Sequence, residues 1–198
     1  INQTTKKLTM KKNYLLLSAF SLCFYLAKGQ QLNYTQVSSS GLTSVTFEIG
    51  FTEIEVGDVD GDGDLDIVTI GDHGSPTINA TEGGVMVFKN NGTGTSWSLN
   101  KTGNLGYGGV ALGDVNNDGK MDIGYGMHHN YSSTDFGDQL IEVALGNGTG
   151  SSWTPYDDGL ATNGETYGMF GVDFADVNND GLLDLSSNSF GCCSGIHI

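Results

Sequence analysis

The chain has 198 residues, eight lysines and no arginine against 23 acidic residues, a formal net charge of −15, and 31 glycines. A surface of that sign repels phosphate backbones and anionic lipid, which excludes nucleic-acid binding as a function. The glycine and acid content would suit a disordered chain, but the aromatic and β-branched residues are grouped into short alternating runs that disordered segments lack.

Met10 opens "MKKNYLLLSAFSLCFYLAKGQ", and residues 1–9 read as sequence upstream of the true start. Lys11 and Lys12 precede an apolar run from Tyr14 to Leu26, followed by Ala27-Lys28-Gly29. This is the layout of a secretory signal cleaved before Gln30, so 1–29 is expected to be a leader and the mature protein to be secreted. The run from Tyr14 to Leu26 is too short to span a bilayer, which argues against an integral membrane protein. Cys23 lies inside the run, but Leu22 is too large for lipoprotein-type processing. Most of the lysines lie in the leader and no acid does. Beyond it only Lys89, Lys101 and Lys120 stand against all the acidic residues, so the mature part is more negative still.

Residues 30–46 are expected to be a linker or first strand. Beyond them the chain repeats. "DVDGDGDLDIV" from Asp58, "DVNNDGKMDIG" from Asp114 and "DVNNDGLLDLS" from Asp176 recur at nearly even spacing. "NNGTGTSW" (Asn90 to Trp97) returns as "GNGTGSSW" (Gly146 to Trp153), at the spacing that separates Asp58 from Asp114. Two unrelated words recurring in one order at one period mark a structural repeat. Within the first period "TEIEVGD", "LDIVTIG", "GGVMVFKN" and "SWSLNK" read as strands. "GGVALGD", "MDIGYGM", "QLIEVALG" and "SSWTPY" follow in the second. Each is short, rich in Val, Ile, Phe, Tyr or Trp, and bounded by Gly, Asn or Asp. No helical apolar stripe occurs outside the leader. Four short strands per period predict an all-β chain of propeller blades, over about 47–102, 103–160 and a truncated 161–198. A plain β-sandwich does not explain the period.

The acidic words predict what the blades bind. Counting from the first aspartate, position 1 is Asp58, Asp114 or Asp176, and position 3 is Asp60, Asn116 or Asn178. Position 5 is Asp62, Asp118 or Asp180, position 6 is Gly63, Gly119 or Gly181, and position 9 is Asp66, Asp122 or Asp184. Crowded carboxylates repel unless a cation sits among them. Alternating oxygen ligands around a glycine turn suit Ca²⁺ better than Mg²⁺, which keeps its waters, or Zn²⁺, which prefers nitrogen and sulfur. Position 7 is Asp64, Lys120 or Leu182, as expected where only the main-chain carbonyl coordinates. An EF-hand needs a glutamate at position 12 and flanking helices. Thr69, Tyr125 and Ser187 stand there, in strand-like sequence, so the bidentate role is expected to pass to position 9. About three Ca²⁺ sites are expected.

These loops, with "VFKNNGTGTSW" and "VALGNGTGSSW" between them, resemble FG-GAP/VCBS-type repeats, the Ca²⁺-binding blades of integrin-α-like propellers and of many secreted bacterial proteins. The resemblance covers about Phe47 to the end. Phe170-Gly171 keeps the family's Phe-Gly word, whereas no Gly-Ala-Pro follows any loop. It implies a calcium-rigidified extracellular scaffold for recognition or adhesion, with a protein or carbohydrate ligand, sometimes appended to an enzyme.

Catalytic patterns are absent from the sequence. His128-His129 lacks a partner at zinc-ligand spacing and reads as a surface loop. No G-x-S-x-G or H-E-x-x-H occurs, and the "NGTG" segments lack the following lysine and helix of a phosphate cradle. Adjacent Cys192 and Cys193 read as small residues of a strand or loop rather than a disulfide. The N-x-S/T words at Asn33, Asn79, Asn91, Asn100, Asn130 and Asn147 read as composition rather than glycan sites. A binding module is therefore expected, the alternative being a non-catalytic part of a larger secreted polysaccharide lyase or hydrolase. Three blades do not close a propeller, so further blades or domains are expected in the full chain. Recognition is expected in the variable stretches 71–84 and 126–139, which carry His73, His128, His129, Tyr131 and Phe136.

Overall fold

A computed structural model describes residues 41–42, 53–70, 84–103, 108–126, 141–156, 160, 169–189 and 195–198. All belong to the unit Ser38–Ile198. The leader, His73, His128, His129, Tyr131, Phe136, Cys192 and Cys193 lie outside the described residues.

Each repeat folds as one antiparallel sheet in which consecutive strands are neighbours. The first sheet runs β1 (Ile54–Gly57), β2 (Asp66–Ile70), β3 (Val85–Asn90) and β4 (Trp97–Thr102), in that order across the sheet. The second repeats the order with β5 (Val110–Gly113), β6 (Asp122–Gly126), β7 (Ile141–Gly146) and β8 (Trp153–Pro155). The third holds β9 (Met169–Ala175), β10 (Asp184–Ser189) and β11 (Gly195–His197). The described residues contain no helix, and none of the sheets closes into a barrel, as expected for propeller blades. No helix among them is long and apolar enough to cross a membrane.

Register is shared as well as order. Gly57 pairs with Asp66, Gly113 with Asp122 and Ala175 with Asp184. Each acidic loop is thus the connection of a hairpin, closed by the residue before position 1 and the aspartate at position 9.

The period-2 alternation of the strands places one apolar set between neighbouring blades. Val68, Ile70, Val85 and Val87 of the first blade meet Val110, Ile123, Tyr125, Ala144 and Trp153 of the second in one buried cluster. The opposite face of the second blade is cut back to glycine at Gly113 and Gly124. A Cβ on Gly124 would lie 2.7 Å from the Phe174 ring and 3.0 Å from Leu185. Phe174 and Leu185 are register partners on β9 and β10, so the third blade docks an aromatic–aliphatic pair into that notch. The third blade's other face is polar, with Asp173 opposite Ser186. It borders an open cleft of about 530 Å³ lined by Glu53, Glu55, Asp173, Ser186, Asn188 and Ile196, among others.

Candidate metal centre

The three loops fold alike because their side chains hydrogen-bond their own backbone. The carboxylate at position 1 gathers the turn. Asp58 Oδ1 accepts from the N–H of Gly61 at 2.8 Å and of Asp62 at 3.1 Å, while Oδ2 accepts from Gly63 N–H at 3.0 Å. Asp114 takes the N–H groups of Asp118 and Gly119 at 2.9 and 2.8 Å. Asp176 takes those of Asp180 and Gly181 at 3.0 and 2.9 Å. Aspartate is the residue for this task, being a short acceptor able to bond the backbone a few positions on.

Position 6 must be glycine for a backbone reason: Gly63, Gly119 and Gly181 have φ of 92°, 83° and 89°. These values are strained for any side chain. Position 4 has the same requirement. Gly61, Asn117 and Asn179 have φ of 75°, 58° and 63°, and asparagine is the non-glycine residue that tolerates this region best. The shift from "DGDG" to "NNDG" is thus two solutions to one turn. The ligand pattern did not reveal this, although glycine or asparagine at position 4 of every loop was its signal.

Positions 3 and 5 tighten the turn further. Asn116 and Asn178 accept from the N–H of Asp118 and Asp180 at 2.9 and 2.8 Å. Asp62, Asp118 and Asp180 accept from the N–H of position 7 at 2.9, 3.0 and 2.8 Å.

Position 9 has a second task that sequence reading missed. Asp66 and Asp122 are fully buried. One oxygen of each accepts from the loop, at Val59 N–H and Val115 N–H, 3.0 Å in both. The other accepts from the end of the third strand, at Asn90 N–H and Gly146 N–H, 2.8 Å in both. The aspartate therefore fastens the hairpin loop to a strand laid down well after it in the chain. Asp184 makes the first bond, to Val177 N–H at 3.0 Å, and is only half-buried.

Burial lifts the Asp66 carboxyl above the usual range, its two backbone N–H bonds oppose the shift, and the charges of Asp60 and Asp62 add to it. Burial lifts Asp122 in the same way, again against its two N–H bonds, with Asp118 and Asp114 adding. A cation beside either group would offset the cost of its charge.

The first loop brings Asp58, Asp60 and Asp66 together, with one ligand oxygen of each within 4.8 Å of the others. Among the described residues it is the one cluster of three His, Cys, Asp or Glu side chains so placed. Asp62 and Asp64 stand outside this group. The second and third loops carry asparagine at position 3, leaving Asp114, Asp118 and Asp122, and Asp176, Asp180 and Asp184, as their carboxylates. Lysines attend two of the loops. Lys120 Nζ sits 2.7 Å from Asp118 Oδ2, and Lys89 Nζ sits 3.7 Å from Asp60 Oδ2. Pairing with Asp118, chiefly through the hydrogen bond, raises the Lys120 ammonium and lowers the Asp118 carboxyl.

The "NGTG" turns are closed by their own side chains. Asn91 Oδ1 accepts from the Thr93 hydroxyl and Asn147 Oδ1 from the Thr149 hydroxyl, 2.6 Å in both. At these positions the asparagine of the N-G-T word supplies the acceptor that closes the turn.

No curated protein matches the chain. The model of the FG-GAP-like repeat family matches residues 58–125, from the first aspartate of the first loop into β6. Together with two loops of one hydrogen-bond plan at one register, that match makes residues 58–125 an FG-GAP-like repeat.

Proposed function

We propose that this chain is a secreted Ca²⁺-binding β-propeller module that recognises an extracellular protein or carbohydrate and does not catalyse. The observation that carries the metal reading is Asp60. Its Oδ1 is buried without a hydrogen-bond partner, inside a nest whose backbone N–H groups are already taken by Asp58, Asp62 and Asp66. A buried oxygen left in this way carries a desolvation cost that a hard cation removes. The donor set is all oxygen, which fits Ca²⁺ and not Zn²⁺. Positions 1, 3, 5 and 9 of each loop would supply side-chain oxygens, and position 7 its carbonyl. The ion's contribution is rigidity: it neutralises carboxylates that otherwise repel and ties the first hairpin turn of each blade. FG-GAP-type repeats serve as scaffolds, and the leader-like segment 10–29 and the acidic composition fit an extracellular, calcium-rich setting.

A melt in millimolar Ca²⁺ against EDTA tests the reading. With Kd of about 10⁻⁴ to 10⁻³ M, tenfold excess adds about 1.4 kcal/mol per occupied site, a rise of several degrees. No rise, or one given by Zn²⁺ and not Ca²⁺, overturns it. Exchanging segment 71–83 or 127–139 for a glycine-serine stretch should abolish glycan- or protein-array binding and leave the bound calcium unchanged. Polysaccharide or ester turnover by residues 30–198, lost in His128→Ala or His129→Ala, would replace this reading with an enzyme.

A further inference from the structure

Residues 30–198 contain three lysines, and two of them stand on loop carboxylates. Lys120 belongs to its own loop and is well exposed. Lys89 does not belong to the first loop at all. It comes from β3, and its stem crosses to the second blade, where Cδ would lie 3.4 Å from a Cβ on Gly150. Its ammonium donates to the Thr149 carbonyl of the second blade's "NGTG" turn at 3.3 Å and faces Asp60 Oδ2 at 3.7 Å. Leu145 occupies the corresponding place in the second repeat, so the second blade has no such arm.

We propose that Lys89 sets the cation affinity of the first loop: it is a resident positive charge that competes with the metal for Asp60 and ties that loop to the second blade. The proposal rests on the calcium reading given above. Asp60 is the group where the two cations meet, because Oδ2 faces the ammonium while Oδ1 is buried and unpartnered. The pair is 26% and 17% exposed on its two side chains, so water screens it less than a surface pair. A unit charge this near a dication opposes its binding by an amount that translates to about tenfold in affinity, even at a dielectric close to that of water. In exchange the apo protein keeps Asp60 neutralised and the two blades joined. The first loop would therefore hold its blade interface by lysine when calcium is scarce and by calcium when it is plentiful.

The test is calcium titration by calorimetry on the parent chain, Lys89→Met and Lys89→Arg. The binding event missing from Asp62→Ala identifies the first site. Methionine keeps the stem beside Gly150 and removes the charge, so the first site should tighten about tenfold. Arginine keeps the charge and should titrate like the parent. An unchanged or weaker first site in Lys89→Met overturns the proposal. A second arm needs no metal: melts in EDTA of Lys89→Met, Asp60→Asn and the double variant. Lys89→Met should lower the midpoint in the parent and lower it much less beside Asp60→Asn. Additive shifts overturn the proposal. A parent chain that takes up no calcium refutes the calcium reading alone, and the EDTA arm then decides whether Lys89 holds Asp60.

Discussion

In the three acidic loops, the turn and the seat of the last carboxylate are held by different kinds of contact. In all three, position 1 collects the turn's N–H groups and position 9 accepts from position 2. Asp66 and Asp122, both fully buried, accept also from a third strand, at Asn90 and Gly146. The difference separates what the loop sequence makes by itself from what the blade adds. A short word suffices for the turn. The depth of its last carboxylate depends on a backbone N–H at the far end of the blade's third strand.

The most direct way to break this comparison is to remove position 9. Asp66→Ala or Asp122→Ala leaves one buried and one half-buried N–H group without an acceptor and should cost about 2–4 kcal/mol. Urea titrations in EDTA separate these structural costs from loss of the ion. No loss at either position in EDTA would mean that the bond to the third strand contributes nothing.

A smaller effect is expected at the joint between the second and third blades. Gly124→Ala places a methyl group against Phe174 and Leu185 and should cost about 1–3 kcal/mol by overpacking. Adding Phe174→Leu should recover part of that loss, which a double-variant cycle would read. At position 6, Gly119→Ala meets no neighbouring atom and is penalised by its φ alone, so about 1 kcal/mol is expected. Asn117→Gly, at a position already held left-handed, should change stability by a few tenths of a kcal/mol.

The smallest effect concerns pH and sharpens the contrast between the loops and the cleft. Burial, then the charges of Asp173 and Glu53, push the Glu55 carboxyl above its ordinary value. A carboxyl raised in the fold binds its proton more readily folded than unfolded. Stability therefore falls as pH rises from the unfolded value through the raised one, and recovers on acidification. Glu55→Gln should flatten that part of the stability–pH curve and leave the protein slightly more stable at neutral pH. A steeper curve in the variant would contradict the assignment.

Much of this architecture was legible in the sequence. Strands β1 to β8 lie inside or within a residue of the alternating words that predicted them, because period 2 and flanking glycine or asparagine are local properties. The loops were legible because ligands and turn glycines share one short segment. What escaped notice was written in no side chain. Asn90 and Gly146 hold position 9 through their backbone N–H, and the notch at Gly113 and Gly124 becomes visible only when Phe174 is placed against it. The variable stretches in which recognition was expected fall almost wholly outside the described residues.

The long reach of position 9 also bears on how the protein is made. As the chain emerges during synthesis, Asp58 can meet Gly61, Asp62 and Gly63 as soon as those residues appear, since these partners are near neighbours in sequence. Asp66 must wait for Asn90, after the hairpin partner β3 has been laid down. Contacts of greater separation carry a larger loop-closure entropy and are formed later. Each blade is therefore expected to fold in two stages, a soft turn first and a fastened one after its third strand arrives. On the calcium reading proposed above, an ion arriving early would find only the finished version well shaped to hold it.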